Sequence, residues 1–314
     1  MTMAGEIVKY WNPQEVTFLI QAYEKGAKAS DIAKALGRSM NSINKKCQGL
    51  IGDGILTPKI KKESDFKGLE FKPIEQERHV NFLRLTGDAI SVSDVHVPFW
   101  DKRLLSYMLE TAKKFVIKQL VINGDWLNMD SFSHWVTGFR GRKETETELL
   151  SASYYLVQCL KVFKKIYITS GNHEDRLFKI LEGQIPHHTF LKMITDDDRV
   201  IKSDYSYCDL GDTIRIVHPK NYGDRGGVVP TDLADKYEKH IISGHNHQWG
   251  IQVSKNGKWL GIDQGMGGDP EKIEYHQKSI TRNRTWQQGF TLIKNYIPTP
   301  LNLRHTNWKL FLSR

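Results

Sequence analysis

The same event recurs five times along this chain, and it constrains the fold more than any other feature. A short apolar run rich in β-branched residues ends in a cluster of His, Asp or Asn: "AISVSDVH" (89–96), "QLVINGDWLN" (119–128), "KKIYITSGNHEDR" (164–176), "TIRIVH" (213–218) and "HIISGHNH" (240–247). The first three runs are separated by the amphipathic stretches "DKRLLSYMLETAKKFVIK" and "ETELLSASYYLVQCLKVFKK". That alternation predicts strand–helix–strand crossovers. Further on, "GIQVS" and "KWLGID" follow the last two runs with only short turns between them. The expected fold from about residue 81 onward is therefore α/β, with mixed sheets and two sheets packed together. One Asn–His pair after a strand is ordinary turn chemistry. Five such clusters are not, because the C-terminal ends of strands are where α/β sheets gather their ligands. The side-chain types are those that suit borderline first-row divalent metals.

Residues 10–56 have a different grain. Asn12-Pro13-Gln14-Glu15 reads as a helix start, with Asn as N-cap, Pro at N1 and Glu closing a capping box. Phe18, Leu19, Ile20 and Tyr23 supply its apolar face, and Gly26 ends it. A second helix, "SDIAKAL", is expected to be capped by Ser30 and stopped by Gly37. A third begins at Ser39, with Met40, Ile43, Cys47 and Leu50 turned inward at helical spacing. Arg38, Asn41, Asn44, Lys45, Lys46 and Gln48 then face outward. A short helix, a Gly-containing turn and a polar, basic third helix resemble the helix-turn-helix and Myb/SANT-like DNA-binding modules. The resemblance implies that those six side chains contact phosphates and base edges. Three-helix modules of this type also bind proteins.

The chain carries a net charge of +9 over 314 residues. Residues 1–62 hold ten Lys/Arg against five Asp/Glu, so much of the excess lies there. A basic balance favours an anionic partner such as nucleic acid. Residues 63–80 are charged and without period, and read as a linker between a domain at 1–62 and one at 81–314. Cys47, Cys159 and Cys208 form no CxxC pair, which excludes a disulfide framework and a structural zinc site and fits a reducing compartment. No run suits a signal peptide or a membrane span, so a cytoplasmic protein is expected.

Taken in order, the five clusters closely resemble the calcineurin-like metallophosphoesterase superfamily. Its blocks read here as Asp94-Val95-His96, Gly124-Asp125-Trp126-Leu127-Asn128, Gly171-Asn172-His173-Glu174, His218, and Gly244-His245-Asn246-His247. The resemblance covers roughly residues 86–265. It implies a four-layer α/β/β/α sandwich of mixed sheets, preceded here by a small all-α three-helix domain. It also implies two divalent ions, Mn²⁺ in the first instance with Fe or Zn as alternatives. Asp94, His96 and His247 would hold one ion, Asn172, His218 and His245 the other, and Asp125 would bridge them. His173 would be the general acid. Asn128 stands where Asp is commoner in the family, which leaves its role open. Two ions about 3.5–4 Å apart lower the pKa of a bound water from about 15.7 towards roughly 7 and offset charge on phosphorus. The resemblance thus implies in-line attack by a metal-bridging hydroxide, with no covalent enzyme intermediate.

Arg176, two residues after Glu174, is a candidate for holding a substrate phosphate, or else pairs with Glu174 or Asp175. Glu174 is expected to orient its neighbours. The loop "PKNYGDRGGVV" (219–229), with Lys220 and Arg225, reads either as a flexible cover for substrate or as a plain surface loop. His134, His187 and His188 read as packing or surface residues. The C-terminal group Trp308, Leu310, Phe311 and Leu312 either completes the core or meets a partner. Several stretches look like phosphoesterases common in bacteriophage genomes, which would place the protein in a host cytoplasm. With a nucleic-acid module in front, the leading expectation is a metal-dependent phosphodiesterase or nuclease acting on DNA. A phosphatase or a phosphodiesterase for small nucleotides, including cyclic ones, is the alternative. A non-enzymatic DNA-binding regulator comes last.

Overall fold

The computed structural model describes residues 11–57, 82–133, 145–181, 187–273 and 286–313. The linker expected at 63–80 lies outside them. The chain divides into two compact units, Met1–Glu77 and Arg78–Arg314.

In the first unit, α1 (Pro13–Glu24), α2 (Ala29–Leu36) and α3 (Met40–Gly52) enclose a core of Leu19, Ile32, Ile43, Cys47, Leu50 and Leu56. The capping box at Asn12 and Glu15 is formed, and Gly37 closes α2 in the left-handed conformation. Four details differ from the sequence reading. Ser30 lies inside α2, whose N-cap is Lys28. Phe18 is 44% exposed, because Leu19 takes the inward position beside it. Met40 is 53% exposed, since it is the first residue of α3 and points away from the packed face. Arg38, expected to face a nucleic acid, is folded in. Its Nε and Nη2 donate to Glu15 at 3.1 and 2.8 Å, and its guanidinium sits 4.2 Å from the Trp11 ring centre. Arg38 therefore locks the start of α1 to the α2–α3 turn. Asn41, Asn44, Lys45 and Gln48 are exposed on α3, and Lys46 is half-buried.

Among its described residues, the second unit holds two six-stranded mixed sheets. In the first sheet, β2 (Ala89–Val92), β3 (Gln119–Asn123), β4 (Lys165–Thr169) and β5 (Val200–Lys202) run parallel. Two antiparallel strands, β11 (Gly289–Lys294) and β12 (Ile297–Asn302), extend it past β2. Pro298 and Pro300 sit on β12, at the sheet edge, where a missing N–H costs no ladder bond. The second sheet is ordered β1 (Arg84–Leu85), β6 (Tyr207–Leu210), β7 (Ile214–Val217), β8 (His240–Ser243), β10 (Leu260–Gln264), β9 (Trp249–Val253).

Period-two alternation explains the layering. Ile90, Val92, Leu120, Ile122, Ile166 and Ile168 pack with residues of α4 (Lys102–Lys114) and α5 (Thr145–Leu160) in one core. Ala89, Val121 and Tyr167, on the opposite face, pack with Cys208, Ile214, Ile216, Ile242 and Ile262 between the sheets. On the second sheet, α8 (Val228–Tyr237) lies against β8 and β10. The result is the expected α/β/β/α sandwich. The helices α6 (Glu174–Ile180) and α7 (His187–Lys192) connect β4 to β5. The C-terminal helix α9 (Trp308–Leu312) closes the first core. In it Trp308 stacks on Tyr107 at 4.3 Å and Leu310 stays exposed.

Candidate metal centre

The candidate ligands sit just beyond five strands: β2, β3 and β4 of one sheet, and β7 and β8 of the other. Neighbouring loops are fastened to each other by backbone bonds. Asp94 N–H donates to Gly124 O at 3.2 Å, and His96 N–H to Asp125 O at 3.1 Å. Asp94, His96, Asp125, His245 and His247 all take positive φ, between 46° and 73°. For residues with a Cβ this is uncommon and costs energy, and such strain clusters at functional sites. The glycines explain how the loops come so close. A Cβ on Gly171 would collide with the Asp125 backbone N and carboxylate, and one on Gly244 with Ser93.

Two buried groups result. Asp94, His96, Asp125 and His247 offer ligand atoms that all lie within 4.8 Å of one another, and Asp125, His218 and His245 do the same. Asp125 belongs to both. His96 Nε2 and His247 Nε2 lie 3.1 Å apart, and His247 Nε2 is 3.0 Å from Asp94 Oδ1. His218 Nε2 is 3.3 Å from both Asp125 Oδ2 and Asn172 Oδ1. Every sequence-predicted metal ligand is thus brought to one place.

The electrostatics follow from carboxylates and imidazoles crowded into one buried space. Burial pushes the Asp94 carboxyl up, but His247 and His218 outweigh it and hold it at about 2. Asp125 is likewise held well below the usual carboxylate range, burial being overcome by His218 and His173. Burial lowers His218 too, yet Asp125 and Asp94 raise it to about 10. Burial, with His218 nearby, lowers His245 to about 4, and burial with His173 and His247 lowers His96. The two carboxyls and the His218 imidazole are thus shifted toward their charged forms together, each favouring the other, while burial pushes His96 and His245 toward neutral. His245 Nε2 is buried with no hydrogen-bond partner among the described residues. A donor set of carboxylate and imidazole suits first-row divalent ions.

Around the ligands, a ring of supports fixes the geometry. Glu174 is 2% exposed and accepts backbone N–H bonds from Asp125 (3.1 Å), Leu127 (2.9 Å) and Gly171 (2.9 Å), tying the β3 and β4 loops together. Asn123 O accepts from Ser93 Oγ at 2.7 Å and faces His218 Nδ1 at 2.9 Å. Ser93 and Asn123 escaped the sequence reading. Their only signal was position, directly before a ligand-bearing turn.

His173 Nδ1 lies 2.7 Å from Asn128 O, and Arg176 Nη2 lies 2.9 Å from His173 Nε2. A guanidinium can only donate, so Nε2 accepts and the proton sits on Nδ1. Burial lowers this imidazole to about 4, with Asp125 opposing and Arg176 reinforcing. Arg176 also donates to Asn128 O at 2.9 Å and lies 3.9 Å from Asp130. Asn128 thus contributes its carbonyl, while its side-chain oxygen has no hydrogen-bond partner among the described residues.

The loop at 219–227 is fastened rather than loose. Gly227 N–H donates to Asp263 at 2.7 Å, and Gln248 and Gln252 donate to Gly223 O and Gly226 O. Side chains of His187 and His188, and all of His134, lie outside the described residues. His240 packs on Trp259, away from the centre.

No protein-family model matches the sequence, and no curated protein matches it. Among solved structures the chain is similar to YfcE, a phosphoesterase from E. coli, with 14% identity, a TM-score of 0.38, and coverage of 69% of this chain and 93% of that one. It is also similar to Vacuolar Protein Sorting 29 from Cryptosporidium parvum, with 14% identity, a TM-score of 0.35, and coverage of 69% and 96%. Among the described residues, no helix is long and apolar enough to cross a membrane.

Proposed function

We propose that the chain is a metal-dependent phosphoester hydrolase acting on the phosphodiesters of a nucleic acid strand, DNA in the first instance. The observation that supports this reading is the pair of buried ligand groups joined through Asp125. Asp94, His96 and His247 would hold one ion, Asn172, His218 and His245 the other, and Asp125 both. Such a pair, with Mn²⁺ foremost and Fe or Zn as alternatives, supplies polarisation of a phosphoryl oxygen and activation of water.

The remaining roles belong to side chains. Arg176 is the phosphate-binding group: its hydrogen bonds run to two neutral acceptors, Asn128 O and His173 Nε2, with the Asp130 carboxylate 3.9 Å away, and an anionic phosphoryl oxygen competes well for the bonds to the neutral acceptors. When the guanidinium turns to the phosphoryl group, His173 Nε2 can take up a proton from solvent. The arriving negative charge favours the imidazolium. His173 then passes that proton to the departing oxygen as general acid, while Asn128 O keeps the ring in place. In the first unit, Asn41, Asn44, Lys45, Lys46 and Gln48 form the nucleic-acid surface, without Arg38.

The test is a gel assay of the purified protein with Mn²⁺ on labelled single- and double-stranded DNA, with Asp125→Ala in parallel. The wild type is expected to cut and the variant not to. A wild type that leaves both DNAs intact but hydrolyses small nucleotides would move the reading to a nucleotide phosphodiesterase.

A further inference from the structure

Two aromatic rings stand against the candidate metal ligands, on opposite partners. Tyr222 lies over His245 with ring centres 4.2 Å apart and planes inclined at 38°. Trp286 meets His247 at 4.2 Å, edge to face. Tyr222 is 71% exposed, so one face of its ring is covered by the imidazole and the other is open. A large aromatic side chain left in solvent at the mouth of a buried polar centre serves no core. It is held there all the same: the bonds to Gly223 O, Gly226 O and Gly227 N–H anchor its loop to the second sheet. The Gly226 backbone lies so close to Trp249 O that a Cβ would approach it to 2.7 Å.

Beyond Trp286 the surface opens into a cavity of about 270 Å³ lined by Arg103, Trp286, Gln287, Gln288, Leu303 and Arg304. Both arginines are exposed, and neither has an ion-pair partner among the described residues. The nearby carboxylate, Asp101, is already engaged. It caps α4 through the N–H groups of Arg103 and Leu104 and accepts from Gln288 Nε2 at 3.1 Å. Two unneutralised guanidinium groups beside an indole make a site for a phosphate flanked by a base. Aromatic platforms along a basic track are how single strands are held without sequence preference.

We propose that Tyr222 and Trp286 are base-stacking platforms on either side of the metal centre, and that the Arg103–Arg304 cavity takes the phosphate beyond Trp286. The catalytic unit itself then binds a single strand of several nucleotides, and the scissile diester lies between the two rings. This rests on the hydrolase reading for the centre that the rings bracket.

The experiment is equilibrium binding of a fluorescein-labelled single-stranded tetranucleotide to the full chain, read by anisotropy in Ca²⁺ over a range of salt. Stacking on one platform is worth about 1–3 kcal/mol per base, so Tyr222→Ala should weaken binding roughly tenfold, while Tyr222→Phe stays within about twofold. Arg304→Ala should weaken binding and lower the salt slope by about 0.7, the value for one phosphate on a single strand. A tetranucleotide with an abasic second position should bind the wild type as weakly as the intact one binds Tyr222→Ala. Wild-type affinity in Tyr222→Ala, or an unchanged salt slope in Arg304→Ala, overturns the proposal. A protein that cuts diesters but shows no loss in these variants keeps the hydrolase reading and loses this one. A protein that binds through these residues but cuts nothing keeps the stacking platforms and loses the hydrolase reading, and with it the placement of a scissile diester between them.

Discussion

Glu174 offers the sharpest perturbation, because one side chain joins two ligand-bearing loops. Its carboxylate receives the N–H groups of Asp125, Leu127 and Gly171, and it is buried. Glu174→Ala strands three buried donors, each costing about 1–3 kcal/mol when unpaired. Part of that loss is offset. Burial pushes the Glu174 carboxyl up, with Lys202 pulling the other way, so removing it also relieves a buried charge. The expected net cost is therefore near the lower end, about 3 kcal/mol. Glu174→Gln separates the contributions. Oε2 serves both Asp125 and Gly171, whereas Oε1 serves Leu127 alone. An amide that places its carbonyl at the Oε2 position loses one bond, for about 1–2 kcal/mol. Urea unfolding of the full chain, followed by tryptophan fluorescence, reads the difference. With a slope of about 3 kcal/mol per molar urea, the Ala variant should unfold about 1 M earlier. A midpoint within 0.2 M of wild type for Glu174→Ala, on the order of the error of such fits, would refute the reasoning. So would a Gln variant as damaged as the Ala variant.

Two further outcomes follow from buried charge. Glu148, buried beneath the Met129 N–H, has its carboxyl raised to about 7 by burial, the Met129 bond opposing. The folded state then keeps its proton to higher pH than the unfolded one. The stability this gives is full below about pH 4 and is lost as pH rises to about 7, by about 3 kcal/mol in total. Glu148→Gln should remove that share of the slope, measured as urea midpoints at pH 5 and pH 8. Arg38→Ala should destabilise the first unit by about 1–2 kcal/mol, through loss of the Glu15 pair and the Trp11 contact. Circular dichroism on heating should show this, and Arg38→Lys should recover only part, since Lys cannot make the paired bonds to Glu15.

What the sequence disclosed was mostly local. Each ligand follows a β-branched run whose period marks a strand, so the sequence alone places Asp94, Asp125, Asn172, His218 and His245 at strand ends. The Asn12 capping box is equally local and appears as read. Long-range pairing was not visible. Arg38 looked free because its partner, Glu15, is 23 residues away and already engaged in the capping box. Met40 fits the helical period, yet it occupies the first turn, where the period no longer decides which side faces the core. The positive φ angles at Asp94, His96 and Asp125 had no signal, since these are not glycines and the strain is imposed by the loops around them. The strand order also escaped reading: β11, late in the chain, inserts beside β2, because sheet order depends on contacts distant in sequence. Tyr222 sat in a stretch read only as loop, and Trp286 was given no role.

The central claim is that Asp125 is shared by two metal-binding groups. The direct measurement is metal content by mass spectrometry after dialysis against Mn²⁺ and removal of free ion, on the wild type and on Asp125→Ala. The account predicts two ions per wild-type chain and fewer than one in the variant. A wild type that retains no ion, or a variant that keeps both, would contradict it.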